Sequence, residues 1–288
     1  MTLPFADVAA LQRALAGQAY LADTGLCTAL YLALCLPQPL LVEGEPGVGK
    51  SELARALAAA TGAPFIRLQC YEGVDSREAL YEWNYLHQLL TLRQGELVGA
   101  APDLFARRFL LPRPLLRALE ESTGRPAVLL IDEIDRADEA FEAFLLEFLA
   151  DFAITIPELG TVRAQVPPLV VVTSNRTREL HDALKRRCLY HWVEYPSLEQ
   201  ELAIVRARAP RVSPALARAV AAAVRWLRGL DLQKPPGISE SISWAQAVQA
   251  LGHDELTAAV ADQTLGAVVK NRDDVERVRA TAYDGMAG

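Results

Sequence analysis

The sequence predicts an α/β fold: a parallel sheet with helices on both faces, followed by a small all-helical domain. Three observations carry that expectation. Short apolar runs alternate with helical patterns over residues 1–195, as in a sheet whose strands are connected by crossover helices. The runs at 127–131 and 169–172 are continuously apolar, the second within the strand 169–175, which suits strands buried on both faces. From 196 to 288 the helical periodicity continues with no strand between the helices. Two domains follow, 1–195 and 196–288.

Taken in order, residues 11–36 read as helix, and Pro37 and Pro39 break it ahead of a short strand at 40–42. A glycine-rich loop follows at once. "SELARALAAAT" is then a strong helix, with Gly62 placed to close it. Residues 65–70 read as a second strand, 75–83 as a capped helix, and "QLLTLRQGE" (88–96) as a strand-like or hairpin segment. "RPLLRALEEST" is helical and leads to the strand at 127–131. A helix over 137–152 precedes a hairpin candidate, "AITIPELGTVRA", with Pro157 and Gly160 at its turn. The strand at 169–175, another helix and a last strand at 189–195 complete the first domain.

The chain has 288 residues, 51% hydrophobic and 23% charged, enough to build one or two cores. Lys and Arg total 29 against 36 Asp and Glu, so the net charge of −7 disfavours nucleic acid as a partner. The N-terminus lacks the basic and apolar regions of a signal peptide, and no apolar run is long enough to span a bilayer. A cytoplasmic protein is expected. Cys27, Cys35, Cys70 and Cys188 form no CxxC pair and the histidines have no metal-ligand spacing, so core or surface thiols are the better reading.

The chemistry starts in "GEPGVGKS" (44–51), which fits G-x-x-x-x-G-K-[ST]. A triphosphate is best held by several inward-pointing backbone N–H groups, and glycines permit the backbone angles this needs. The candidate nucleotide-binding residues are Gly44, Glu45, Pro46, Gly47, Val48, Gly49, Lys50 and Ser51, with Glu52 following. Lys50 would reach the β- and γ-phosphates of ATP, the helix beginning near it would add its positive end, and the Ser51 hydroxyl would ligate Mg²⁺.

"AVLLIDEIDRAD" supplies an apolar strand ending in Asp132 and Glu133. Asp132 is placed to hold Mg²⁺ through water and Glu133 to polarise an attacking water. Solvated acids capping a buried strand are the plainer alternative, which a sheet already carrying a phosphate loop makes less attractive. Asn175, ending the strand "VVVTSN", is either a hydrogen-bonding group for the water or γ-phosphate or a turn or helix cap. Lys185, Arg186 and Arg187 are either a solvated face or the source of an arginine that reaches a neighbouring subunit's γ-phosphate.

Phosphate loop, DE-ending strand, Asn-ending strand, arginines before the last strand and a helical lid stand here in the order of AAA+ ATPases. In closer detail the chain resembles the MoxR branch and its CoxD-like group. "PLLVEGEPGVGKSELARALA", "YEWNYLHQLL", "RPLLRALE", "DEIDRAD", "TSNRTRELHDALKRRCLYHWVEYP" and "TLGAVVKNRDDVERV" carry that likeness, which runs from about residue 22 to 278. The resemblance implies a homo-oligomeric ring, commonly hexameric, with ATP between subunits. It assigns Asn175 as sensor 1 and Arg186 or Arg187 as the arginine finger, Arg187 slightly preferred, and it points to Arg136 as a support for the subunit interface. It also suggests that 88–96 and the hairpin at 153–164 face the ring's pore or a partner. One departure is visible: where a sensor-2 arginine is often found, this chain has Ser239, Glu240 and Ser241.

By the same resemblance, the protein would use ATP to remodel or mature a client, with a von Willebrand factor A domain partner. The CoxD-like group is linked to metal-centre assembly in molybdenum-containing carbon monoxide dehydrogenases and similar hydroxylases, so a client metalloenzyme is implied. A nucleic-acid motor or loader and a nucleotide-gated binding scaffold are the alternatives.

Overall fold

A computed structural model describes residues 4–98 and 103–286. The chain divides into two compact units, one built from 1–11, 24–43 and 53–192, the other from 12–23, 44–52 and 193–288. In chain order the first elements are helices α1 (Val8–Ala16) and α2 (Thr24–Cys35), strand β1 (Leu40–Gly44), α3 (Lys50–Thr61) and β2 (Phe65–Gln69). Next come α4 (Ser76–Leu80), β3 (Tyr81–Trp83), α5 (Tyr85–Val98), β4 (Leu110–Pro112), α6 (Pro114–Glu121) and β5 (Val128–Asp132). Then follow α7 (Glu139–Asp151), β6 (Ala153–Ile156), β7 (Gly160–Arg163), β8 (Leu169–Ser174), α8 (Asp182–Arg187) and β9 (Leu189–Val193). The remainder is helical: α9 (Leu198–Arg208), α10 (Pro214–Gly229), α11 (Ile238–Ala250), α12 (Ala258–Thr264) and α13 (Arg272–Ala280).

In the first unit, five strands form a parallel sheet in the order β2-β5-β8-β1-β9 with helices on both faces, as the alternation in the sequence predicts. β1, β5 and β8 are buried along their whole length, whereas the edge strand β2 alternates, turning Arg67 outward. That contrast is what sheet position dictates: a central strand has both faces covered and an edge strand does not. Leu41, Leu68, Leu129, Ile131, Phe148 and Leu184 belong to the core built on this sheet. Register then fixes the site. Gln69 lies opposite Asp132, and Glu43 opposite Ser174, so the carboxyl ends of β2 and β5, and of β1 and β8, finish level.

Three local expectations are corrected. Residues 11–36 are two helices, α1 and α2, because the chain leaves helix at Gly17 and Ala19 takes a left-handed φ of 55°. The helix expected over 75–83 stops at Leu80, and Tyr81 and Trp83 pair with Pro112 and Leu110 in a small two-stranded antiparallel sheet. Aromatic residues favour that extended, half-covered surface. The segment 88–96 is not a strand or hairpin but the body of α5. Asn84 Oδ1 accepts from His87 N at 3.0 Å at its start, and Leu, Gln and Arg continue it as good helix formers. Within it Leu89 and Leu90 are exposed, not buried as in a covered strand. The hairpin expected at 153–164 is present as β6 and β7, with Thr155 opposite Thr161.

In the second unit, Leu216, Val220, Val224, Leu227, Trp244 and Val278 form a helix-lined core. The Trp244 indole N–H donates to Thr264 Oγ1 at 2.7 Å, so this large buried ring leaves no polar atom unpaired. A buried ion pair lies beside that core. Arg228 donates to both carboxylate oxygens of Glu201, at 2.6 and 2.9 Å, and Ser241 Oγ donates to Glu201 Oε1 at 2.5 Å. Arg228 also reaches Pro236 O at 2.7 Å, which ties α10 to the segment just before α11. Among the described residues, no helix is long and apolar enough to cross a membrane.

Candidate active site

The phosphate-loop motif lies in the second unit and leads into α3. Gly47 and Gly49 have φ of 78° and 93°, in the left-handed region where a side chain is strained. Gly44 needs to be glycine for space: a Cβ there would lie 2.3 Å from Val193 O. Val48 is buried, while Glu45, Pro46 and Gly47 are exposed. Lys50 is buried at the first position of α3, and its ammonium donates to Gly44 O at 2.7 Å and Glu45 O at 2.8 Å. Ser51 follows at the second position. Glu52, included in the sequence-predicted set, is partly exposed and pairs with Arg208 at 2.9 Å.

The loop is also braced by α11. Ile238 N donates to Gly47 O at 2.8 Å, and Glu240 Oε2 accepts from Gly237 N at 3.0 Å, capping its own helix. The three residues at the sensor-2 position have other partners: Glu240 accepts from Gly237 N, Ser239 Oγ donates to Glu240 and Ser241 Oγ donates to Glu201. Arg228 and Glu201, which sequence reasoning missed, hold the start of α11 from beneath. Nothing in their helical surroundings distinguishes them from surface charges until the fold is known.

In the first unit, the acids predicted at the end of β5 stand where the sheet register puts them. Asp132 is 1% exposed; its Oδ1 accepts from Thr173 Oγ1 at 2.7 Å and its Oδ2 from Arg67 Nε at 2.9 Å. The next residue, Glu133, takes a left-handed backbone, φ 55° and ψ 52°, a strained state for a non-glycine residue that clusters at functional sites. Its N–H donates to Thr173 Oγ1 at 2.9 Å, and its carboxylate accepts from Gln69 Nε2 and Arg136 Nη1, each at 3.2 Å. Thr173 thus fixes both the aspartate side chain and the turn that aims the glutamate. Beneath them, Cys70 is fully buried, and burial together with Asp132, Asp135 and Glu133 pushes its thiol up to about 12.

Asn175 follows β8, and its N–H donates to Asp135 Oδ1 at 3.2 Å. Asp135 is itself buried and also accepts from Thr177 N at 2.9 Å and Thr177 Oγ1 at 2.7 Å, so it shapes the turn after β8. Asn175 does not cap α8, whose N-cap is His181. Arg186 and Arg187 end α8 as exposed side chains, with no ion pair or hydrogen bond to the described residues, whereas Lys185 pairs with Glu179 at 3.1 Å. Buried Leu184 anchors the helix that presents them. Arg178 contacts buried Glu142 and donates to Ala137 O at 3.0 Å, bridging α7 to the segment before α8.

The donor sets suit a magnesium–nucleotide complex. A buried ammonium, a glycine-shaped loop and the start of a helix are chemistry for phosphate, while a serine hydroxyl and a buried carboxylate are oxygen donors of the kind Mg²⁺ takes.

The chain is 29% identical over 182 residues to ATPase family gene 2 protein homolog B of Bos taurus, covering 61% of this chain and 20% of that protein. It is 31% identical over 114 residues to Lon protease 4 of Sorangium cellulosum, covering 38% of this chain and 12% of that protein. The chain thus spans a fifth or less of the length of these curated relatives. A solved structure of a point mutant of Thermotoga maritima RuvB has a similar fold, with a TM-score of 0.51 at 18% identity over 90% of this chain and 74% of that one. The family model described as "AAA domain (dynein-related subfamily)" matches residues 39–188, more than half of the chain. That stretch holds the glycine loop, both acids ending β5, Asn175 and the two exposed arginines of α8, and the chain belongs to the AAA domain family, dynein-related subfamily.

Proposed function

We propose that the protein is an AAA+ ATPase of the MoxR branch, in its CoxD-like group, which hydrolyses ATP to remodel, mature or activate a client protein. One observation carries the ATPase reading. A buried lysine set in a glycine-shaped loop and a strand-end Asp-Glu pair, the glutamate on strained backbone, occur within a single family-matched stretch. The MoxR placement is supported by the motif phrases around that machinery, above all "DEIDRAD" and "TSNRTRELHDALKRRCLYHW".

In this reading, 1–195 is the nucleotide-binding domain and 196–288 the lid. Backbone N–H groups of 44–51 and the Lys50 ammonium hold the phosphates, and Ser51 and Asp132 hold Mg²⁺. Bound Mg²⁺ neutralises charge on the phosphate oxygens. Glu133 takes the proton of the attacking water, Asn175 orients that water or the γ-phosphate, and Arg186 or Arg187 reaches into the site of the next subunit of a hexameric ring. The partners are a von Willebrand factor A domain protein and a client metalloenzyme, a molybdenum hydroxylase such as carbon monoxide dehydrogenase. The net charge of −7 argues against nucleic acid, and the compartment is the cytoplasm.

The test is phosphate release from ATP in the presence of Mg²⁺. It is followed by binding of the Glu133→Gln protein, in ATP and in ADP, to a von Willebrand A protein encoded beside it. Absence of turnover removes the ATPase reading. Turnover with equal partner binding in both nucleotides removes the remodelling cycle.

A further inference from the structure

Arg67 is the middle residue of edge strand β2, two positions before Gln69 and on the same face of the sheet. Its guanidinium reaches across to the neighbouring strand and places two nitrogens on one oxygen of Asp132: Nε at 2.9 Å and Nη2 at 2.5 Å from Oδ2. The opposite oxygen, Oδ1, is fixed by the Thr173 hydroxyl at 2.7 Å, and Thr173 in turn holds the Glu133 N–H. The two sides of this carboxylate differ in kind. Thr173 is a short, buried side chain on a central strand, whereas the Arg67 side chain is long and 41% exposed against 2% for that of Asp132.

We propose that Arg67 is a displaceable internal cation. It neutralises Asp132 while no metal is bound and yields that oxygen when a divalent cation arrives with the nucleotide, so it sets the Mg²⁺ concentration at which nucleotide binds tightly. This rests on the reading of Asp132 as a magnesium-holding residue. A buried carboxylate is stabilised by positive charge, so a metal ion arriving at Oδ2 competes with the guanidinium already on it. Arg67, its side chain 41% exposed, can turn to water and so loses less by leaving than a buried partner would. Its departure is also felt at the neighbouring glutamate. Arg67 Nη2 contacts Gln69 Oε1, and Gln69 Nε2 donates to Glu133 Oε2 at 3.2 Å. Arrival of the metal is thereby coupled to the side chain that holds Glu133.

The experiment is a Mg²⁺ titration of the binding of a fluorescent, non-hydrolysable ATP analogue to the full chain, with EDTA as the zero-metal point. In the Arg67→Gln protein the Mg²⁺ midpoint falls about tenfold, because the competing charge a few ångströms from the metal has been removed. Affinity in EDTA stays within about twofold of wild type, since the phosphate loop is untouched. Arg67→Lys, which offers Asp132 a single ammonium, moves the midpoint in the same direction by a smaller factor and serves if Arg67→Gln does not fold. A midpoint unchanged or raised in both variants overturns the inference and leaves the ATPase reading standing. Absence of analogue binding by the wild-type chain at every Mg²⁺ concentration removes the ATPase reading, and the inference with it.

Discussion

Gly47 of the phosphate loop and Gly237 at the start of α11 meet backbone to backbone: a Cβ built on Gly237 would stand 2.6 Å from Gly47 Cα and 2.8 Å from Gly47 O. Neither atom can swing aside as a side-chain end would. The Gly237 backbone itself, at φ −85°, would accept any residue, so the demand for glycine comes from its neighbour.

Gly237→Ala is therefore expected to push α11 off the loop, lengthen the Ile238–Gly47 hydrogen bond and cost about 1–3 kcal/mol, as overpacking does. ATP affinity should fall with it, because the loop is braced from that side. Urea denaturation and nucleotide titration of the same protein measure both. An unfolding midpoint and affinity equal to wild type would show that the contact is slack.

Lys50 and Glu133 should separate binding from turnover. Lys50 is the buried ammonium of the loop, so Lys50→Ala removes charge from the phosphate site and should weaken ATP binding by about tenfold or more, on the order of the loss of a charge-assisted contact. Glu133→Gln keeps size and hydrogen bonding but not basicity; ATP binding should persist while kcat falls by about 10²–10⁴. Equilibrium binding beside phosphate release distinguishes the two. Full turnover by Glu133→Gln would take Glu133 out of the base role.

The legible parts of the sequence were those in which one local rule decides the outcome. Continuous apolar runs marked β5 and β8, and the glycine spacing marked the loop, because burial on both faces and positive φ each leave a strong residue preference. The parts that misled were those in which distant residues decide. The leucines of α5 look like a strand, but Asn84 starts a helix there and no strand among the described residues pairs with them. Tyr81 and Trp83 continue a helical pattern until β4, far along the chain, offers an edge. Asp132, Glu133 and Asn175 could be picked as candidates by their position at strand ends. Arg67, Thr173, Asp135, Arg228 and Glu201 could not, since each acquires its partner through sheet register or helix packing.

Cys70 gives the fold a defined weakness to alkali. Burial, and then the nearby charges of Asp132, Asp135 and Glu133, raise its thiol to about 12, well above the value of about 8.5 for an unfolded chain. The sign follows from linkage. The folded state favours the protonated thiol, so this stability is fully present below about pH 8.5 and is lost as pH rises toward 12. In Cys70→Ala, the decline of unfolding free energy between about pH 9 and 11 should be shallower by about 1 kcal/mol per pH unit. Urea curves at several pH values test it, and identical slopes in the two proteins would mean that Cys70 ionises in the fold as freely as in the unfolded chain.

Arg186 and Arg187 are exposed at the end of α8 with no partner among the described residues, where the negative end of the helix favours cations but leaves both guanidinium groups open to solvent. If either reaches the γ-phosphate in a neighbouring subunit, turnover per chain must depend on assembly: steeply rising with protein concentration, then flat once the ring is complete. An arginine acting this way contributes about 10³–10⁵ in rate without being needed for binding. Arg187→Ala should therefore bind ATP normally and hydrolyse it about 10³-fold more slowly or worse, with Arg186→Ala less affected. Mixing an excess of the Lys50→Ala chain with a little Arg187→Ala protein should restore turnover, because each neighbour then supplies what the other lacks. Activity per chain that is constant across the dilution series, or a mixture no faster than its parts, would place the finger elsewhere and leave both arginines as a solvated face.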